Sequence, residues 1–143
     1  MLPPAEDGVP DLEIKSILLL DDDLVLADTL RDLLESRNFL VTVVSNGAEG
    51  LKQVIDTDFD VIMCDIMMPS MAGDMFYLAV QKMKPFLAER FVFMTGFSGD
   101  PHVNKFLESV NALVLEKPAK LEDIIRMISL VLHRNARSRA TSN

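Results

Sequence analysis

Asp60-Val61-Ile62-Met63-Cys64-Asp65, followed by Ile66-Met67-Met68-Pro69-Ser70-Met71-Ala72-Gly73, is the stretch on which the fold turns. An apolar run of this length without clean polar alternation suits a strand buried on both faces, as in a parallel sheet covered by helices on each side. The run delivers one carboxylate, Asp65, to its C-terminal end, where Pro69 and Gly73 stop the strand and shape an irregular loop. In open parallel sheets the chemistry sits at the carboxyl ends of the strands. Asp65 is therefore placed where a reactive group is presented.

Other apolar runs end in polar residues able to join it. Ile17-Leu18-Leu19-Leu20 runs into Asp21-Asp22-Asp23, Phe91-Val92-Phe93-Met94 ends at Thr95, and Leu113-Val114-Leu115-Glu116 ends at Lys117-Pro118. As parallel neighbours, these strands converge acidic groups, a hydroxyl and an ammonium on one edge.

Between the strands the spacing turns helical. Strand 15–20 leads to a helix capped by Asp23 and running to about Arg37, with Leu26, Leu30, Leu33 and Leu34 turned to the sheet. Strand 39–45 closes at Asn46-Gly47, and a helix over about 48–56 turns Leu51, Val54 and Ile55 inward. Met75, Phe76, Leu78, Ala79 and Met83 suit a third helix ended near Lys84 by Pro85. Asp100 caps a fourth with Pro101 at its first position, ending near Ser109. After a strand over 111–115, the last helix runs from Leu121 to about His133, with Leu121, Ile124, Ile125, Ile128 and Leu132 buried and Met127 and Leu130 widening that stripe. Strands alternating with helices in this way predict an α/β fold, a doubly wound five-stranded parallel sheet of flavodoxin-like order 2-1-3-4-5 with right-handed crossovers.

Composition bounds the function. The chain has 143 residues, near the usual size of one domain. Residues 1–14 read as a flexible acidic leader, 15–133 as the folded domain and 134–143 as a basic flexible tail. Its single cysteine forms no intrachain disulfide, and no cleavable targeting segment opens the chain, which together point to the cytoplasm. The net charge of −8 disfavours nucleic acid as a partner, and the longest apolar runs are too short to span a bilayer. Cys64, alternating with Asp65 along the strand, reads as a buried core thiol, and His102 and His133 read as surface residues.

The acidic cluster after strand one, Asp65 after strand three, Thr95 after strand four and Lys117-Pro118 after strand five resemble, in register, the receiver domain of two-component response regulators. The resemblance covers about residues 15–133. It implies that Asp65 is the phosphoacceptor, taking a phosphoryl group from a histidine kinase or histidine phosphotransfer domain. It further implies Mg²⁺ or Mn²⁺ held by Asp21, Asp22, Asp65 and the backbone carbonyl of Met67, with Lys117 paired to Asp65 and the Thr95 hydroxyl donating to the phosphoryl group. Gly96 leaves room for the donor, and Pro118 matches the family's cis-peptide position. The first helix near Leu24, Val25 and Asp28 becomes the docking face for the donor, and an effector protein and a weak homodimer fit the family. Receivers serve as signalling domains, so no turnover enzyme is expected. The Phe91–Gly96 and Leu115–Pro118 segments look more like receivers of hybrid histidine kinases.

This chain departs from the family at Val114, where an aromatic residue usually swings inward on activation, and at Ala119, where Phe is usual. Other classes fit less well. A hydrolase of the haloacid dehalogenase type needs a second acid two residues after the nucleophile, where this chain has Met67. A flavodoxin-like carrier needs a phosphate loop where this chain has three repelling carboxylates. The alternative that survives is a receiver-fold interaction module working without phosphorylation.

Overall fold

The computed structural model describes residues 13–68, 71–96, 100–110 and 112–141. In chain order the elements are β1 (Lys15–Leu20), α1 (Leu24–Glu35), β2 (Phe39–Val44), α2 (Gly47–Asp56), β3 (Val61–Asp65), α3 (Gly73–Met83), a 3₁₀ turn (Pro85–Arg90), β4 (Phe91–Thr95), α4 (Pro101–Val110), β5 (Leu113–Glu116) and α5 (Leu121–Thr141). The strands form one parallel sheet in the order β2-β1-β3-β4-β5, as the alternation of elements predicts. The expected leader over 1–14 falls almost wholly outside the described residues, as do Pro69, Phe97 and Asn111.

Strand alternation divides the core in two. Leu18, Leu20, Ile62, Cys64, Phe91 and Phe93 pack under α2, α3 and α4. Ile17, Leu19, Val61, Met63, Val92 and Met94 pack under α1 and α5. Every residue of β3 and β4 is buried, because each strand has neighbours on both sides and helices on both faces. That is why these runs carry no polar alternation.

The helix starts follow the capping chemistry. Asp23 Oδ1 accepts from the Leu26 N–H at 3.1 Å, Asn46 Oδ1 accepts from Glu49 N–H at 2.9 Å, and Asp100 Oδ1 accepts from His102 N–H at 2.9 Å. After α1, Asn38 takes a left-handed conformation (φ 72°), which a short amide side chain tolerates, and turns the chain into β2.

Several buried faces differ from expectation. In α1 the residues against the sheet are Ala27 and Leu34 with Leu30 at their edge, whereas Leu26 and Leu33 are exposed. In α2 the close-packed face is Gly47, Gly50 and Val54, and Ile55 is exposed. A side chain at Gly50 would lie 2.7 Å from Leu20 Cδ2 and 2.9 Å from Phe76, so the helix sits too near the sheet to present a larger residue there. In α3 the inward residues are Phe76, Tyr77 and Val80, and Met75, Leu78 and Met83 face out. In α5 Val131 is buried beside Ile124 and Ile128, and Leu130 is exposed.

The last helix is also longer than its apolar stripe. It runs to Thr141 instead of ending near His133, so residues 134–141 are helical and not the flexible tail expected. Two side chains beyond the stripe tie it down: Arg134 Nη2 donates to the Glu89 carbonyl at 2.7 Å and Asn135 Nδ2 to the Asp60 carbonyl at 3.4 Å. Both acceptors lie at the amino-terminal edge of the sheet, opposite the strand ends that carry Asp65.

Candidate functional site

Register brings the acidic groups together. Leu20 pairs with Cys64 across β1 and β3, so Asp21 follows on one strand where Asp65 follows on the other. Asp65 pairs in turn with Met94, which sets Thr95 one step beyond it, and Thr95 pairs with Glu116, next to Lys117. The Lys117 N–H donates to the Thr95 carbonyl at 2.8 Å, extending the ladder to the residue that reaches the pocket. The Lys117-Pro118 peptide is cis, as the resemblance implies.

The Lys117 ammonium donates to Asp65 Oδ2 and to Asp21 Oδ2, each at 2.9 Å. The pairing with Asp21 is a contact the sequence did not reveal. The phase of the β1–β3 register is its signal, since it puts Asp21 and not Asp22 directly beside Asp65. Asp21, Asp65 and Thr95 are buried, while Asp22 is exposed. The second oxygens are also held: Asp21 Oδ1 accepts from the Asp23 N–H at 3.0 Å and Asp65 Oδ1 from the Met67 N–H at 3.2 Å. These bonds fix both carboxylates without blocking the face between them.

Charge does not balance in this pocket. Carboxylate oxygens of Asp21, Asp22 and Asp65 all lie within 4.8 Å of one another, against the one ammonium, that of Lys117, paired with them among the described residues. Burial raises the Asp65 pKa, and the hydrogen bond and charge of Lys117 oppose that rise only in part. Burial pulls the Lys117 pKa down, but its bonds to Asp65 and Asp21 outweigh this and hold it above the ordinary lysine range. A cluster of hard oxygen donors with surplus negative charge fits Mg²⁺ or Mn²⁺, ions that prefer such ligands over nitrogen or sulfur.

Glycine matters at one point of the loop. A Cβ on Gly73 would stand 2.6 Å from the Asp65 carbonyl oxygen and 2.9 Å from Ile66 Cα, so the start of α3 approaches the backbone at the end of β3 as only glycine permits. Gly96 is different, because a Cβ there would meet only Lys117 Cβ at 3.8 Å. Met67 is exposed beside Asp65, and Met71 covers Gly47 at the start of α2.

Cys64 is fully buried on the face opposite its neighbour's carboxylate, as expected, and burial pushes its thiol well above the usual range. His102 is exposed on α4 with Nε2 3.8 Å from Asp74 Oδ2, and His133 is exposed on α5. Leu24, Val25 and Asp28 are exposed on α1. Behind them an apolar groove of about 430 Å³ runs from Asp21 and Lys117 between α1 and the start of α5, with Leu26, Leu33, Pro118 and Ala119 on its walls. Among the described residues no helix is long and apolar enough to cross a membrane.

Comparison with known proteins agrees with this geometry. Residues 17–129 match the family model described as the response regulator receiver domain. The chain is 30% identical over 119 residues to the response regulator receiver protein CpdR of Brucella abortus, covering 83% of this chain and 98% of that protein. Several longer curated relatives match as well, and the chain spans only 20% to 36% of their length. Among solved structures, a CheY-like receiver domain from Methanospirillum hungatei superposes with a TM-score of 0.80 at 23% identity, over 88% of this chain and 99% of that one. The receiver domain of a signal transduction histidine kinase from Syntrophus aciditrophicus gives 0.74 at 25% identity, over 83% and 90%. With a family model that reaches into all five strands and a relative matched over nearly its whole length, the chain belongs to the response regulator receiver domain family of two-component signalling.

Proposed function

We propose that this protein is a phosphoacceptor, taking a phosphoryl group onto Asp65 from the phosphohistidine of a kinase or phosphotransfer domain in the cytoplasm. The observation that carries this is the bridge of Lys117 between Asp65 and Asp21, 2.9 Å to each. An ionised carboxylate attacking phosphorus must approach a group already negative, so catalysis is a matter of positioning and positive charge. Asp65 Oδ1 is oriented by the Met67 N–H, and Lys117 can follow the developing charge from carboxylate to phosphoryl oxygen. Thr95, on the neighbouring strand end, supplies a hydroxyl donor for a second phosphoryl oxygen. Asp21, Asp22, Asp65 and the Met67 carbonyl would hold Mg²⁺ or Mn²⁺. Such an ion would supply positive charge against the phosphoryl oxygens.

The exposed apolar residues Leu24, Val25 and Leu26 beside the pocket support docking of the histidine donor along α1. No second acid stands two residues after Asp65, since Met67 occupies that place, so the chain acts as a relay and not as a turnover phosphatase. Intact-mass measurement after incubation with Mg²⁺ and acetyl phosphate tests the proposal. One phosphoryl group is expected on the protein and none on Asp65→Asn. An equal gain in the variant would sink the assignment, and no gain in either would favour an interaction module that works without phosphorylation.

A further inference from the structure

The phosphoryl chemistry makes no use of the apolar groove between α1 and the start of α5. Leu26, Leu30 and Leu33 of α1 line it on one side, and Pro118, Ala119 and Ile124 on the other. Leu26 and Leu33 are exposed, so covering their apolar surface is favourable. Ala119 contributes only a methyl group to its side. At about 430 Å³ the groove falls within the range of small-ligand pockets, about 300–1,000 Å³. Such pockets join an apolar lining to a few polar groups that fix the ligand's orientation.

The charged residues of this lining are Asp21 and Lys117. Asp21 is only 3% exposed, with Oδ2 accepting from the Lys117 ammonium at 2.9 Å and Oδ1 from the Asp23 N–H at 3.0 Å. An ionised carboxylate offers about four acceptor sites, so Asp21 keeps capacity for a further donor. Thr29, on the α1 side, donates its hydroxyl proton to the Val25 carbonyl at 3.0 Å and can only accept from a ligand. Lys117 commits two of its three donors, to Asp21 and Asp65.

Charge then decides which head group fits. The carboxylates of Asp21, Asp22 and Asp65 stand together against the Lys117 ammonium, so this part of the groove carries surplus negative charge. An anionic head would add to the surplus and a neutral one would leave it, whereas a protonated amine offsets it and donates to Asp21.

We propose that the groove is a binding site for a small cationic amphiphile, an apolar chain or ring bearing one protonated amine. Its apolar body lies between α1 and the start of α5, and its ammonium meets Asp21. The site is independent of the phosphoacceptor reading, since it needs only the groove and the charge beside it.

The test titrates the full chain in EDTA with butylamine, hexylamine and octylamine, then with octanol and octanoate, which share the octyl chain and differ in head charge. Calorimetry gives affinity, thermal melts give stabilisation, and amide chemical shifts give the location. Octylamine should bind saturably, raise the melting temperature and shift amides within residues 24–35 and 117–124. Affinity should rise about fourfold per added methylene. Octanol should bind at least about tenfold more weakly than octylamine, and octanoate should not saturate. Ala119→Phe, which fills the groove and leaves Asp21 in place, should weaken octylamine about tenfold or more. Leu26→Trp narrows the groove from the α1 side and takes the place of Ala119→Phe if that variant loses its cooperative melt. Octanoate binding as tightly as octylamine, affinity indifferent to chain length, or a filled groove that binds octylamine like wild type would each overturn the assignment. So would octylamine that fails to saturate.

Discussion

The ammonium of Lys117 stands 2.9 Å from Oδ2 of Asp65, yet the pairing leaves the pocket negatively charged, because the same nitrogen also serves Asp21. Ionised Asp65 is consequently a cost to the fold. Its pKa is raised by burial, so the folded state keeps its proton at a pH where the unfolded chain has lost it. Stability then falls as pH rises from the ordinary aspartate range through that raised value. Asp65→Asn removes this charge while Lys117 keeps Asp21. In EDTA at neutral pH the variant is expected to be more stable than wild type by about 1 kcal/mol, or a few degrees in Tm. Lys117→Met does the opposite, leaving two buried carboxylates without their cation and costing roughly 3–5 kcal/mol. Mg²⁺ should raise the melting temperature of wild type more than that of Asp65→Asn. Thermal melts in EDTA and in Mg²⁺ measure all of this, and a wild type insensitive to Mg²⁺ would contradict it.

The two glycines flanking the site separate a steric requirement from a permissive one. At Gly73 an added methyl meets backbone atoms of Asp65 and Ile66, which cannot move aside without shifting β3. Gly73→Ala should cost roughly 1–3 kcal/mol. At Gly96 the added methyl finds ordinary contact with Lys117, and Gly96→Ala should stay within about 0.5 kcal/mol of wild type. Urea midpoints of the two variants give the comparison directly; equal losses would mean that the loop before α3 adapts.

Cys64 provides a probe of opening that owes nothing to the site chemistry. The thiol is inaccessible and its pKa is pushed up by burial first and by the charges of Asp65, Asp74 and Asp21 after that, so almost no thiolate exists in the native state. Alkylation should therefore be slow in buffer and stoichiometric in denaturant, with a native-state rate that rises with urea in step with global unfolding. Rapid labelling in buffer would show that β3 is accessible from the α3 side.

How far the sequence reveals this molecule depends on whether a feature is local. The strand ends at Leu20, Asp65, Thr95 and Glu116 are legible because polar residues interrupt apolar runs, and the strand order follows from alternation with helices. The facing of the helices is less so. Leu26, Leu33, Ile55 and Met75 fit helical spacing as well as the residues that are buried, and only the distance between helix and sheet decides, as Gly50 against Leu20 shows. The pairing of Lys117 with Asp21 depends on register between strands far apart in the chain. The added turns of α5 are anchored on carbonyls of Asp60 and Glu89, acceptors that carry no side-chain signature.

The lifetime of a phosphoryl group on Asp65 should be set by what stands at the mouth of the pocket. An acyl phosphate is lost when water attacks phosphorus opposite the aspartate oxygen, and a polar side chain two residues after Asp65 could hold that water by a hydrogen bond. This chain has Met67 there, with its N–H spent on Asp65 Oδ1 at 3.2 Å and its side chain exposed. A thioether accepts hydrogen bonds weakly and its methylenes displace water, so it neither orients the attacking molecule nor invites it in. Phe97, two residues after Thr95 in the sequence, lies outside the described residues. Wild-type phosphoprotein should accordingly decay slowly, and Met67→Asn should decay faster by about tenfold, within the range general acid–base assistance supplies. Met67→Leu, which changes shape little and adds no polar atom, should decay like wild type. First-order loss of phosphate in Mg²⁺ after donor removal distinguishes these. Equal rates for wild type and Met67→Asn would show that Met67 does not gate water, and a fast Met67→Leu would show that the thioether matters by shape alone.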